Sequence, residues 1–507
     1  MEPQIRTPVA RRALVLGLDG ATFDLLDPLM AAGLLPFLRS MSDAGSRARL
    51  TSVFPPKTIP AWYSFATGKD PGELGVFGFT EPDGGPGRSR IVQTFRPAEA
   101  VWDRLSRRGV KVGVIDFPLK AGYPLHGFVI PGMLTENAPT FPEGLRAEVE
   151  SALGEAYLPE LPPYRESDRA EWLGLATRAV EQHARVAEHL IDRFDPAFLF
   201  TLLRETDRVQ HQHWRDLAAP VERIPADLVA FFRAVDATCA RIDRAFRARG
   251  GGSTFVVSDH GHGAARADFF TNRWLAEAGY LVFRPGAGRE PMRRQLLSRA
   301  LLLAERFGPG RAIVHAVADR LRGNARRELV GRLVAGEASF EAAASRIDWD
   351  RTVAYSYPVP EGIYLNRYNP HLTPEAGRAI VREIRARLEA YAGARIEVFE
   401  PGQLYRGARL ANAPALLVRI DGLATEPRMD FSYPHVLLRD RPGFFYGSGV
   451  HRMDGVLLVK GDSPSDRPLP PAVSILDLAP TILEAMGVPP PDGLHGRSLA
   501  PALGLAA

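Results

Sequence analysis

Four short, strongly apolar runs constrain this chain more than any other feature. They are "ALVLGLD" (Ala13–Asp19), "VKVGVID" (Val110–Asp116), "AFLFTLL" (Ala197–Leu203) and "STFVVSDHG" (Ser253–Gly261). Amphipathic stretches lie between them, such as "PLMAAGLLPFLRSMSDAG" (Pro28–Gly45) and "FFRAVDATCARIDRAF" (Phe231–Phe246). A strand without a polar face must be covered on both sides, which calls for a largely parallel sheet between helical layers. The expected class is therefore α/β. In such sheets ligands bind beyond the carboxyl ends of the strands. Three of the four runs reach a carboxylate there: Asp19, Asp116, and Asp259 followed by His260.

A chain of 507 residues has room for two or three domains at roughly 150 residues each, although large α/β enzymes also run as one. The α/β rhythm breaks between Phe283 and Asp348 into helical, arginine-rich sequence. Residues 284–348 are thus expected to be an insertion or lid within a discontinuous catalytic domain, 1–283 and 349–507. Beyond it, "GIYLNRYN" and "APALLVRI" read as strands flanking the helix "TPEAGRAIVREIRARLEAYAG", and "SILDLAPTILEAMGV" as one more amphipathic helix. A net charge of +4 is too small to argue for a nucleic-acid partner. The single cysteine, Cys239, lies in helical phase with Val235, Ile242 and Phe246 and is expected in the core. The apolar run near the N-terminus is shorter than the ~7–15 residues of a secretory signal, and no stretch approaches the ~18 apolar residues of a membrane helix. A cytoplasmic location is expected, and the oligomeric state stays open.

The chemistry gathers where apolar runs end. In "SVFPPKTIPAWYSFATG" (Ser52–Gly68), Pro55, Pro56 and Pro60 hold Thr58 on a stiff approach to a helix expected over Ala61–Thr67. A hydroxyl so placed suits an N-cap or a nucleophile. Asp19 is followed by Gly20, which permits a sharp turn. Asp207 and His211 are four apart and would share a helical face. Asp259 and His260 are adjacent, and His451 precedes the apolar run "GVLLVK". Three carboxylates and three imidazoles suit two divalent ions, most readily zinc, with manganese also possible, whereas magnesium prefers oxygen alone. His213 and His262 read as residues of a solvated loop that either support the ligands from behind or face solvent, and Trp62 and Trp214 as core. Asp116 reads equally as a turn residue or a site residue. The loop "GFTEPDGGPGRSR" (Gly78–Arg90) would border the pocket.

The segments "LGLDGATFD", "FPPKTIPAWYSFATGKDPGELGVFGF", "TDRVQHQHW", "VVSDHGHG" and "GVHRMDGVLLVKGD" resemble the ordered motifs of the alkaline phosphatase superfamily. Within it they look like the branch of type I phosphodiesterases and nucleotide pyrophosphatases. The resemblance spans Ala13 to about Phe283 and Thr352 to about Leu499. It implies one ion held by Asp19, Asp259 and His260 with the Thr58 oxygen, and a second held by Asp207, His211 and His451. It further implies a phosphothreonine intermediate at Thr58 and a small phosphorylated substrate, cleaved as a phosphodiester, nucleotide pyrophosphate or phosphomonoester. One position departs from the pattern: Ala61 stands where nucleotide pyrophosphatases usually carry an asparagine that donates to a phosphoryl oxygen. Lys57 or an arginine of the insertion would then supply that contact. A phosphomutase or phosphotransferase would use the same residues, and a non-catalytic binding protein is a third reading. A sulfatase is disfavoured, because Thr58 cannot become formylglycine.

Overall fold

The computed structural model describes residues 11–92, 99–133, 138–158, 160–164, 168–285, 340–431, 433, 435–439, 447–462 and 469–505. The apolar runs form the strands Ala13–Leu18, Val112–Pro118, Phe198–Leu203 and Ser253–Val257. They belong to one eight-stranded sheet. Its order is Ala472–Ser474, Ser46–Thr51, Asp454–Lys460, Ser253–Val257, Ala13–Leu18, Phe198–Leu203, Val112–Pro118, Gly127–Gly132. Within this sheet only Asp454–Lys460 runs antiparallel to its neighbours.

Both faces are covered, as the absence of a polar face requires. Leu14, Leu16 and Leu18 point into a layer that holds the helices Arg169–Phe194 and Ala226–Arg247, with Cys239 fully buried in it. Ala13 and Val15 point the other way, into a layer with the helices Thr58–Thr67 and Leu478–Ala485. A fully buried Leu, Val or Phe contributes about 1.5–3 kcal/mol. A one-residue slip would exchange the two sets of side chains, so packing fixes the register.

Two expectations change locally. Pro28–Gly45 is not one amphipathic segment but parts of two helices, Phe23–Ala31 and Pro36–Ala44, separated at Gly33, whose φ of 74° takes the chain out of the first. The helix behind the prolines starts at Thr58, three residues before the expected Ala61. Pro60 is tolerated because the first turn has no intrahelical acceptor for its missing N–H.

A smaller four-stranded sheet (Ala354–Tyr355, Gly362–Leu365, Leu416–Ile420, Ile396–Phe399) and the helix Pro374–Glu389 enclose a separate core that includes Ile363, Leu388, Val398 and Leu417. Phe54 and Phe77 from the first part of the chain enter this core. Phe283 and Ile347 pair as an antiparallel bridge, and the Arg284 amide donates to the Arg346 carbonyl at 2.9 Å. The chain thus leaves and re-enters the body at one place. Most of the arginine-rich segment, 286–339, lies outside the described residues. Among the described residues no helix is long and apolar enough to cross a membrane.

The direction of the strands positions everything that follows. The strands ending at Thr51, Leu18, Leu203 and Val257 deliver Thr58, Asp19, Asp207 and the Asp259–His260 pair to one edge of the sheet. Asp454–Lys460 runs the opposite way and therefore begins at that edge, which brings in His451 just ahead of it.

Candidate metal centres and active site

At the sheet edge seven ligand-type side chains, one more than expected, form two groups: Asp19, Asp259 and His260, and Asp207, His211, His262 and His451. The first group is wholly buried and comes from adjacent strand ends. His260 Nε2 lies 3.2 Å from Asp259 Oδ2 and 3.6 Å from Asp19 Oδ1. The outer oxygens are already held: Trp62 Nε1 donates to Asp19 Oδ2 at 3.2 Å, and the Gly20 amide to Asp259 Oδ1 at 3.1 Å. Trp62 is core as expected, and its indole N–H also fixes a candidate ligand. The inner oxygens, Asp19 Oδ1 and Asp259 Oδ2, have no hydrogen-bond partner, and neither does His260 Nε2.

The second group combines a helix with a two-stranded ribbon. Asp207 and His211 lie one turn apart on Glu205–Leu217, with His211 Nε2 3.4 Å from Asp207 Oδ1. His451 Nε2 is 3.3 Å from the same oxygen and 2.8 Å from His211 Nε2. In each ring Nδ1 faces a backbone carbonyl: His211 that of Gly449 at 2.9 Å, His451 that of Pro56 at 2.6 Å. A carbonyl only accepts, so Nδ1 carries the proton and Nε2 presents a lone pair. This is the orientation of a metal-ligating histidine.

Two expectations about histidine are corrected here. His262 is fully buried rather than solvated, with Nε2 3.5 Å from Asp207 Oδ1. His213, also expected in a solvated loop, is buried and packs edge-on against Tyr164, away from the ligands. A sequence signal for His262 existed: it stands two residues after His260 in a glycine-rich extended run, the spacing that puts side chains on one face. Trp214 is core as expected and stacks near His262, with ring centroids 6.1 Å apart.

The electrostatics fit cations at both groups. Burial, followed by Asp259 and Asp207, holds the Asp19 carboxyl well above its usual range, and burial does the same to Asp259. Burial alone would raise Asp207, but His211, His262 and His260 outweigh it and hold that carboxyl low. Burial, aided by neighbouring imidazoles, pushes His260, His262 and His451 well below the ordinary histidine value. Acceptor atoms converge at 2.8–3.6 Å with no donor among them. Divalent cations bound by mixed imidazole and carboxylate donors would satisfy them.

Thr58 opens its helix as the first helical residue, the cap position being Lys57, so its hydroxyl is not the N-cap. The amides of Thr58 and Ile59 have no intrahelical acceptor, and the helix N-terminus favours an anion there. Thr58, Asp19, Asp207, His211 and His451 line one cavity of about 560 Å³. Gly78, Phe79 and Thr80 border it, as expected of that loop, and Val359, Met429 and Leu161 give it an apolar wall. Lys57 also lines the cavity, but its Nζ is paired with Glu361 at 2.8 Å. Burial opposes that charge, and Glu361 with Glu426 outweighs burial, so the lysine is held above its usual value. Asp116 does not join the ligands. It sits at a φ of 58° and accepts from the Tyr157 hydroxyl at 2.5 Å, and its Oδ2 lies 3.3 Å from His183 Nε2. His183 in turn lies 3.8 Å from Glu205, at the start of the helix that carries Asp207.

A model of the family described as "Type I phosphodiesterase / nucleotide pyrophosphatase" matches residues 13–337. Crystal structures of phosphonoacetate hydrolase from Sinorhizobium meliloti 1021, in complex with phosphonoformate and with phosphonoacetate, share the fold at a TM-score of 0.51 and 16% identity. Each match covers 93% of this chain and 94% of the other. No curated protein matches the chain. The matched family is a class of metal-dependent phosphoric ester hydrolases, and the chain has an alkaline-phosphatase-like fold. Within that class the chain belongs to the type I phosphodiesterase/nucleotide pyrophosphatase family.

Proposed function

We propose that the protein cleaves a small phosphodiester, nucleotide pyrophosphate or phosphomonoester by way of a phosphothreonine at Thr58. The observation that carries this reading is the convergence of unpartnered carboxylate and imidazole acceptors beside a hydroxyl at a helix N-terminus. Asp19, Asp259 and His260 with the Thr58 oxygen would hold one ion, and Asp207, His211 and His451 the other. Zinc suits these mixed donors best, and manganese is the alternative. Such ions supply a lowered hydroxyl pKa and neutralise charge on the phosphoryl oxygens.

The chain itself does the positioning. Trp62 and the Gly20 amide fix the carboxylates, and the three backbone carbonyls fix the imidazole tautomers. The first-turn amides face the phosphoryl group. Thr58 Oγ1 forms the new P–O bond as the bond to the leaving group breaks on the far side. Water then opens the phosphothreonine and returns the hydroxyl. The Glu361 partner leaves Lys57 a screened contact for substrate, and the apolar wall would take an organic substituent. Residues 284–348 are read as an insertion, supported by the pairing of Phe283 with Ile347.

Metal analysis beside a panel of p-nitrophenyl mono- and diesters tests the reading. Acid-quenched enzyme should carry phosphate on Thr58 by mass spectrometry. Turnover that survives complete metal removal would sink it. Oxygen from water in the released product, a phosphate monoester from a diester or pyrophosphate and free phosphate from a monoester, supports hydrolysis, and an isomerised substrate without that oxygen would replace it with a mutase.

A further inference from the structure

We propose that His262 is a fourth ligand to the ion of Asp207, His211 and His451, so that one carboxylate and three imidazoles hold it. The inference rests on the two-metal reading above. His262 Nδ1 lies 3.1 Å from the Gly20 carbonyl, which also accepts from Gln210 Nε2 at 3.0 Å. The carbonyl cannot donate, so Nδ1 holds the proton and Nε2 is an acceptor. That Nε2 has no hydrogen-bond partner, and neither does Asp207 Oδ1, 3.5 Å away. The Nε2 atoms of His211 and His451 surround the same oxygen at 3.4 and 3.3 Å. Four acceptors facing one another do not make a hydrogen-bonded packing arrangement, and a divalent cation is the group that satisfies all four at once. A histidine that merely supported Asp207 would donate Nε2–H to the carboxylate and accept at Nδ1, and the Gly20 carbonyl offers nothing to accept.

The backbone is arranged for this ring. His262 and His451 are directly opposed in the ribbon formed by Gly261–Ala264 and Gly449–Arg452. Directly opposed residues leave the same face of an antiparallel pair, so both rings turn towards the helix with Asp207 and His211. Gly20 has a φ of 67°, and a Cβ there would stand 2.5 Å from His262 Nδ1, so only glycine leaves space for the ring. Four protein donors would hold the resting ion, and the fifth position that catalytic zinc can take would stay available to a phosphoryl oxygen. The other group has three such donors besides Thr58.

The test compares zinc-loaded wild-type protein with His262→Ala and His262→Gln by metal analysis, zinc competition against a chromophoric chelator, and visible absorption after cobalt substitution. Wild type should hold two ions. Both variants should bind one of them at least about 10–100-fold more weakly, since even outer-shell partners carry that much affinity. Their cobalt spectra should lose four-coordinate intensity. Variants that bind both ions with wild-type affinity and an unchanged spectrum would overturn the role of His262 alone. A wild type that binds no zinc or manganese would overturn the two-metal reading beneath it. If neither variant folds, a crystal structure of the zinc-loaded wild type decides: His262 Nε2 at about 2.0–2.1 Å from the ion supports the proposal, and a longer, non-bonding distance overturns it.

Discussion

The two candidate ligand groups are built in different ways. Asp19, Asp259 and His260 follow directly on the neighbouring strands Ala13–Leu18 and Ser253–Val257, and all three are essentially inaccessible. Their spacing is inherited from the register of the central sheet, which cores on both faces hold in place. The Asp207 group sits outside that sheet. Its members come from one helix and from a ribbon whose strands are far apart in sequence, and the His211 side chain is 31% exposed. The first group is rigid because the sheet is rigid, whereas the second depends on how the ribbon packs on the helix. Their charges differ accordingly. Burial holds Asp19 and Asp259 high, whereas at Asp207 the imidazoles of His211, His262 and His260 outweigh burial and hold the carboxyl low.

The largest expected effect leaves all the carboxylate and imidazole ligands in place. Thr58→Ala should lower phosphoester turnover by roughly a thousandfold or more, as loss of a covalent nucleophile does. The ion of the Asp207 group should be bound as in wild type, the ion that the Thr58 oxygen helps to hold should bind more weakly but still load at saturating zinc, and Thr58→Ser should keep a measurable share of the rate. Near-normal turnover in the alanine variant would remove the nucleophile.

Next come the ligands themselves. Asp19→Ala and Asp207→Ala should each reduce the metal content from about two ions to about one, as expected of paired but separate sites. Direct metal analysis of each variant decides between two centres and one. Loss of both ions from either single substitution would mean that the groups form one cooperative unit.

A smaller change should separate the two modes of construction. A Cβ on Gly449 would meet the Gln210 carbonyl at 2.3 Å, so Gly449→Ala must lift the ribbon from the helix. Affinity at the Asp207 centre should fall by about tenfold or more, as for lost ligand support, while the other centre keeps its own. Equal weakening of both in a chelator competition would mean that the two centres do not differ in how they are held.

The smallest effect belongs to the sheet-built group. Trp62→Phe removes the indole N–H that holds Asp19 Oδ2 and keeps most of the ring packing. A hydrogen bond to a charged group is worth about 1.5–3 kcal/mol, an upper limit here because the rigid strand ends still place the carboxylate. Metal affinity at the Asp19 centre alone should fall, and a competition titration reads it. A fall at the Asp207 centre instead would reverse the assignment of Trp62.

Much of this was legible in the chain. Apolar runs such as "ALVLGLD" forced a sheet buried on both faces, and their direction placed Asp19 and Asp259 at one edge. The four-residue spacing of Asp207 and His211 put them on one helical face. His262 was misread because a histidine between two glycines looks solvated when its strand partner is unknown. Lys57 read as a free cation because Glu361, which pairs with it, lies some 300 residues downstream.

Local sequence therefore determined the strands, the presence of a helix behind Pro55 and Pro56, the order of the candidate ligand motifs and the family, because each depends on hydrophobic periodicity or on residues adjacent in the chain. Only the tertiary structure decided that His451 opposes His262 and that Gly20 leaves space for the His262 ring. It also decided that backbone carbonyls hold Nδ1 of the imidazoles, turning each Nε2 towards a carboxylate. These facts depend on strand pairing and close packing between distant segments, which are set by the folding of the whole chain and not by the pattern of any one stretch.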